Sequence, residues 1–338
     1  MNRSHLFLLS FIIFSLWSCN NNDDLNAGVE TSATAHLYAT SHNGQVRRYD
    51  INDAVVTNYA VNSSDIEGFY FSPEDDAFSI VSRSSNQIES YTNISELGAG
   101  GTKDPELGLI GTSEFESPRD LAVNGQFFVV SDDTDLDGDE ATPEGRLFIY
   151  VKTETGFVLR NVLITKFKVW GLEFVGSDLY AAVDETNKIA MYRNFIETHT
   201  SNRIITADKI VGFQGLIRSH GLDFDKGTMV LSDIGEAESA TDGALHIIQD
   251  FESKFSNATN GGFIGIDEQL RISGANTQLG NPVNLVYDKA YNVIFVAEAL
   301  NNGGRILAFN DATSISGNIA PDLKYDLAGA SSVFYFTR

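Results

Sequence analysis

The residues of this chain best suited by type and spacing to chemistry lie between Asp133 and Glu144. Acids alternate at Asp133, Asp135 and Asp137, a glycine follows at Gly138, and Asp139 and Glu144 complete the run. Hard carboxylate oxygens two residues apart, a glycine for a sharp turn and a final glutamate able to bind through both oxygens make a calcium-loop pattern. No helical pattern flanks the run, Glu140 replaces the usual apolar residue, and Pro143 precedes the last ligand. The expectation is a structural calcium held by Asp133, Asp135, Asp137, Asp139 and Glu144; the alternative is a solvated acidic loop. A second set is scattered through the chain: Glu67, Arg119, Asp120, Trp170, His220 and Asn284. An acid, a guanidinium, an indole and an imidazole brought together could hold a small polar ligand, with Trp170 stacking on a sugar or an aromatic group. His220 as a general base would need an adjacent nucleophile, and no signature of one is present.

These scattered residues share a position in a repeat. Glu67-Gly68-Phe69, Arg119-Asp120-Leu121, Trp170-Gly171-Leu172, His220-Gly221-Leu222, Val283-Asn284-Leu285 and Ser331-Ser332-Val333 each open an apolar strand. Successive copies lie roughly 50 residues apart, a spacing that marks propeller blades. Each opening is followed by a second strand, a polar hairpin loop and a third strand. Candidate second and third strands are His36–Thr40 with Gln45–Tyr49, Phe78–Val81 with Gln87–Tyr91, Phe127–Val130 with Arg146–Val151, Leu179–Ala182 with Lys188–Tyr192, Met229–Leu231 with Leu245–Ile248, and Val293–Val296 with Arg305–Phe309. Fourth strands are weaker: Val162–Ile164, Ile210–Val211, Leu270–Ile272 and Leu323–Tyr325. The first blade lacks an opening strand until Val333–Phe336 supplies one at the other end of the chain, and Ser253 to Gly262 reads as a long outer loop. The expected fold is all-β, a six-bladed β-propeller over residues 35–338 whose blade 1 is closed by the C-terminal strand.

In such a ring the six openings surround the channel mouth. A purely internal arrangement is the alternative to ligand binding there: Glu67 paired with Arg119, His220 bonded to a backbone carbonyl, Trp170 packed between blades. The ends of the second strands fall at His42, Arg83, Asp132, Asp184, Asp233 and Glu298. Four acids on one face would form a cation-concentrating rim, or each would cap its own turn.

The openings Ser117-Pro118-Arg119-Asp120-Leu121-Ala122-Val123 and Ser219-His220-Gly221-Leu222-Asp223 resemble those of NHL-repeat and SMP-30 (gluconolactonase)-like propellers. In the lactonase branch, the resemblance implies, a Glu of a Glu-Gly-Pro opening and Asn or Asp residues on other blades hold a catalytic divalent metal. Glu67-Gly68 fits and Asn284 could serve, but Phe69 replaces the proline and Arg119 stands where an asparagine is wanted. A cation beside Arg119 meets like-charge repulsion. A non-enzymatic binding module for carbohydrate, peptide or protein is therefore the leading expectation, and a metal-dependent lactonase-type hydrolase the second.

The chain has 338 residues, 46 acidic against 23 basic, for a formal charge of −23, which excludes nucleic acid as a natural partner. Arg3, the short apolar run Leu6–Phe14 and Ser18 before the only cysteine, Cys19, read as a secretory signal. The join resembles a bacterial lipobox, although Trp17 is bulky for it. The resemblance implies a signal peptide over 1–18, cleavage before Cys19 and lipid on its thiol and new amine. Residues 19–34 are polar and acidic and read as a flexible tether. The expected product is a monomer anchored by lipid to the bacterial outer membrane, at the cell surface or, alternatively, facing the periplasm. With one cysteine, no disulfide forms within the chain.

Overall fold

A computed structural model describes residues 34–338; the signal peptide, Cys19 and nearly all of the tether lie outside the described residues. Residues from Thr34 onward make six antiparallel sheets of four strands each, and three of the sheets gain a fifth strand. This is a six-bladed β-propeller. Its inner strands, Ile66–Ser72, Pro118–Asn124, Val169–Val175, Ser219–Asp225, Pro282–Asp288 and Ala330–Thr337, line the channel. The last of them pairs with Ala35–Ser41, matching Leu37 to Tyr335 and Tyr38 to Phe334, so blade 1 is closed from the two ends of the described chain.

Local sequence explains the hairpins. Lys226 and Gly227 both take positive φ (44° and 87°) between Asp225 and Thr228, the two-residue turn whose twist matches paired strands. Alternating side chains then send one apolar row toward each neighbouring blade. Tyr38 stacks on Phe69 and Phe71 between blades 1 and 2, and Tyr70 meets Phe128 edge-on between blades 2 and 3. Such contacts bury most of the aromatic side chains and supply the bulk of the cohesion between blades.

All six inner strands shift register against their second strands near the channel mouth. The residues passed over are Gly68, Arg119, Trp170 with Gly171, His220 with Gly221, Val283 and Ser331. Each bulge turns the strand end and re-aims its side chains. Gly171 has no room for a side chain, since a Cβ there would lie 2.1 Å from the His220 carbonyl oxygen of the next blade. The backbone freed at the bulges is bonded by hydroxyls: Asp120 N donates to Ser131 Oγ (3.0 Å) and Gly221 N to Ser232 Oγ (2.7 Å).

Outer edges follow a second rule. Short segments that lead into a fourth strand swing out and pair in parallel with the outermost strand of the preceding blade. Gly101–Lys103 covers blade 1, Arg203–Ile204 blade 3, Phe263–Ile264 blade 4, and Gly317 bridges Ile272 in blade 5. The stretch expected as a loop from Ser253 to Gly262 belongs to one of these excursions and is helical over Phe251–Asn257, with Phe251 and Phe255 buried. Two fourth strands not foreseen are Val55–Tyr59 and Glu106–Ile110.

Candidate functional site

The bulges bring three of the expected residues into one stack. The Trp170 indole lies parallel to the His220 imidazole, centroids 3.6 Å apart and planes 8° apart. On Trp170 sits the Arg119 guanidinium, 4.2 Å from the ring centroid. Carboxylates anchor each end. Arg119 bonds Asp133 (2.9 Å), and His220 Nε2 lies 3.2 Å from Asp184 Oδ1. Asp184 also receives Arg218 through Nε (2.8 Å) and Nη2 (3.0 Å). Burial alone would raise the Asp184 carboxyl, but the bonds from His220 and Arg218 outweigh it and hold it well below its ordinary value. Burial depresses His220, the Asp184 contact resists, and Arg218 and Arg119 add to the depression. The ring is therefore neutral at pH 7, donates from Nε2, and leaves Nδ1 buried without a partner.

Glu67 does not pair with Arg119 as the internal alternative supposed, because Asp133 takes that guanidinium. It is 2% exposed, with His42 Nε2 at 3.5 Å and Arg83 at 3.7 Å. Burial raises its carboxyl well above the usual range, against the pull of Arg119 and Arg83. His220 bonds a carboxylate rather than a backbone carbonyl, and Trp170 packs between a guanidinium and an imidazole.

Asp120 and Asn284 lie deeper, along a channel cavity of about 240 Å³. Asp120 accepts the Leu172 amide of the next blade (2.9 Å), and Asn284 Oδ1 accepts the Val333 amide (3.1 Å). Asp223 repeats the device with Tyr287 N (2.7 Å). The inner strands are edge strands, and these side chains occupy amides that would otherwise face the channel unpaired. Two channel acids, Glu173 and Asp223, were not foreseen; each directly follows the Gly-Leu pair that opens its blade, Glu173 in the fourth and Asp223 in the fifth. Burial pushes Asp120 and Asp223 up to about 7, opposed by their backbone bonds, and neighbouring carboxylates push Asp223 further. Burial, then Asp223 and Asp120, raises Glu173 well above its ordinary range. Channel solvent reaches Glu173 and Asp223 in part, yet protein surrounds them closely enough to disfavour charge.

The four acids at second-strand ends cap turns. Asp132 Oδ2 accepts Glu116 N and Ser117 N (2.8 and 2.9 Å) and its Oδ1 takes Arg146 (2.9 Å). Asp233 Oδ1 accepts Arg218 N and Gly235 N, and Glu298 accepts four amides, from Gly280, Asn281, Leu300 and Asn301. Asp184 bonds Glu185 N as well as its cationic partners. Each thus caps its own turn, the alternative to a cation-concentrating rim, with arginine and histidine side chains as further partners of Asp132 and Asp184.

In the acidic loop, Asp135 Oδ1 accepts Asp137 N and Gly138 N, Asp137 accepts Asp139 N, and Asp139 accepts Ala141 N. Gly138 takes φ 70°, as its place in the turn requires. Asp133 is tied to Arg119. Among the described residues no three His, Cys, Asp or Glu side chains converge as a metal site.

No model of a known protein family matches the sequence, and no curated protein matches it. Solved structures do. One, titled "Crystal structure of Nidogen/Laminin Complex", is similar over 89% of this chain and 98% of its own, with 13% identity and a TM-score of 0.56. At that identity the likeness shows the propeller fold.

Proposed function

We propose that this protein is a non-enzymatic binding module whose ligand, a protein, peptide or carbohydrate, is recognised at the channel mouth around Arg119, Trp170 and His220. The observation that carries the reading is the charge around Glu67. The one carboxylate placed where a lactonase-type cation would sit has Arg83 beside it and Arg119 acting on it. Asn284, the second candidate ligand, already spends its oxygen on the Val333 amide. Both faces of the Trp170 indole are covered, by Arg119 and by His220, but the edges of Arg119 and Trp170 stay partly exposed, and these residue types dominate recognition sites. The similar solved structure is, by its title, a complex of nidogen with laminin. We place the module at the outer membrane through lipid on Cys19, with residues 19–34 as its tether. Among the described residues no helix is long and apolar enough to cross a membrane.

Calcium at the Asp133–Glu144 loop belongs to the same proposal as a stabiliser of the mouth. It requires Asp133 to leave Arg119 and the loop carboxylates to gather.

The test is affinity capture of envelope proteins and glycans on the purified protein, beside an Arg119→Ala/Trp170→Ala variant, with lactone hydrolysis assayed in added divalent metal. A ligand retained by the parent and lost by the variant, with no hydrolysis, supports the reading. Metal-dependent turnover abolished by Glu67→Gln overturns it.

A further inference from the structure

The parallel excursions leave one outer edge bare beside a cleft. Blade 3 joins its third and fourth strands by a tight turn at Glu154 and Thr155, so it sends nothing to cover the Glu106–Ile110 strand of blade 2, which ends its sheet. The turn comes close to that strand at its far end, where a Cβ on Gly156 would lie 2.9 Å from the Ile110 oxygen. Blade 6 faces a similar turn, but there Arg47 bonds the Asp326 carbonyl (2.8 Å) and Tyr49 stacks on Tyr325.

The cleft, about 700 Å³, has a floor of small residues, Ala77, Ser90, Thr92 and Gly108, and the Lys152–Glu154 turn as its wall. Leu107 and Ile110 are 38% and 49% exposed, and Val158 nearby 55%. Two of the excursions that cover an edge also bring a buried aliphatic side chain: Ile205 is 4% and Ile264 1% exposed. No lysine lies within the strand to repel pairing, although Pro105 precedes it and a bulge falls at Gly108. Four exposed carboxylates flank it, Asp104, Glu106, Glu114 and Glu154, while Lys152 is spent on Asp75.

We infer that the outer edge of blade 2 is a docking site for an extended segment of a partner protein that carries an aliphatic residue flanked by Lys or Arg. The segment adds as a fifth strand parallel to Glu106–Ile110, as the chain's own excursions do elsewhere. Its backbone supplies affinity, its aliphatic side chain fills the cleft, and its cations meet the flanking acids. Residues 20–34 of this chain contain Asp23, Asp24 and Glu30 and no Lys or Arg, so their charge is wrong for the edge. A second copy would oppose its own carboxylates to these.

The probe is a capped ten-residue peptide of alternating Val and Lys, with a Val/Glu peptide as control, titrated against the purified protein while amide hydrogen exchange is followed. Protection should appear across residues 106–110. Affinity should fall at least tenfold in Glu106→Lys/Glu154→Lys, which changes only exposed positions, and in Thr92→Phe, which fills the cleft. The inference is overturned by absent protection at 106–110, by equal binding to the charge-reversed variant, or by equal binding of the Val/Glu peptide. Protection without peptide that grows with protein concentration, or that vanishes when residues 20–33 are removed, would assign the edge to a second copy or to the chain itself and equally overturn it.

Discussion

Trp170 and His220, from neighbouring blades, lie with their rings 3.6 Å apart and nearly coplanar in orientation, while Arg119 covers the opposite indole face. Three consecutive blades are thereby joined at their bulges. Beyond Trp17, Trp170 is the only tryptophan, so in protein made without residues 1–18 its fluorescence reports this stack. His220 is depressed by burial and stays neutral until the pH falls below its ordinary value of 6.5. Indole emission should be flat from pH 8 to about 6.5 and change only in more acid solution. Unfolded chain binds the proton first, so the His220 contribution to stability is present above that window and lost as pH falls. His220→Gln should remove the acid transition in emission; an unchanged titration would place its origin elsewhere.

Arg119 holds Asp133 at 2.9 Å, with both side chains largely buried. Arg119→Met keeps the contact with Trp170 but strands the carboxylate, and should destabilise the protein by about 1–3 kcal/mol in a thermal or urea melt. The same variant tests the calcium proposal. Freed Asp133 should bind calcium more tightly by titration calorimetry, and Glu144→Ala should bind it less tightly. No calcium binding in either protein would remove the ion from the account of the mouth.

Asp120 and Asp223, both pushed up to about 7, oppose the usual course of acid stability. Between about pH 4 and 7 the folded state holds protons that the unfolded chain has released, so their contribution is full below about 4 and lost as pH rises through 7. Asp132, Asp184 and Asp233 are held below their ordinary values despite burial and act in the reverse sense, favouring the fold above about pH 4. Stability should peak in mildly acid solution. Asp223→Asn keeps an oxygen for Tyr287 N and should raise stability at pH 8 by on the order of 1–2 kcal/mol, with little change at pH 5. A difference from the parent that is the same at both pH values would show that Asp223 is ionised in the fold.

Glu298 is fully buried and accepts four loop amides at 2.8–3.0 Å. Glu298→Ala leaves all four unbonded and should cost about 2–4 kcal/mol. Glu298→Gln keeps Oε1, which takes three of them, and should cost about 1 kcal/mol. Equal losses in a denaturant melt would mean that the charge, and not the acceptor geometry, matters.

The ring was legible because alternation survives in every blade and a spacing near 50 residues in all but the fifth, and each predicted second, third and fourth strand has its counterpart. The missed fourth strand Glu106–Ile110 is exposed along most of its length, so nothing imposes alternation on it. Glycine and bulge positions at the openings were visible as residue types, but the register shifts are a property of pairing and leave no mark in one strand. The Arg119–Asp133 bond was hidden for a similar reason: Asp133 was read as the first position of a loop, while its partner is set by how the bulge in blade 3 aims the guanidinium. Glu173 and Asp223 look like solvent-facing residues of alternating strands; only the closure of the ring puts them in a narrow channel.

Thr40 and Ser331 share a hydrogen bond across 291 positions, inside the blade built from both ends of the described chain. No partial ring can form that bond, so the last strand to be synthesised completes the first blade. Were the chain exported as we propose, it would pass through any narrow conduit with its circle still open, and completion would wait for the segment around Ser331 to emerge on the far side.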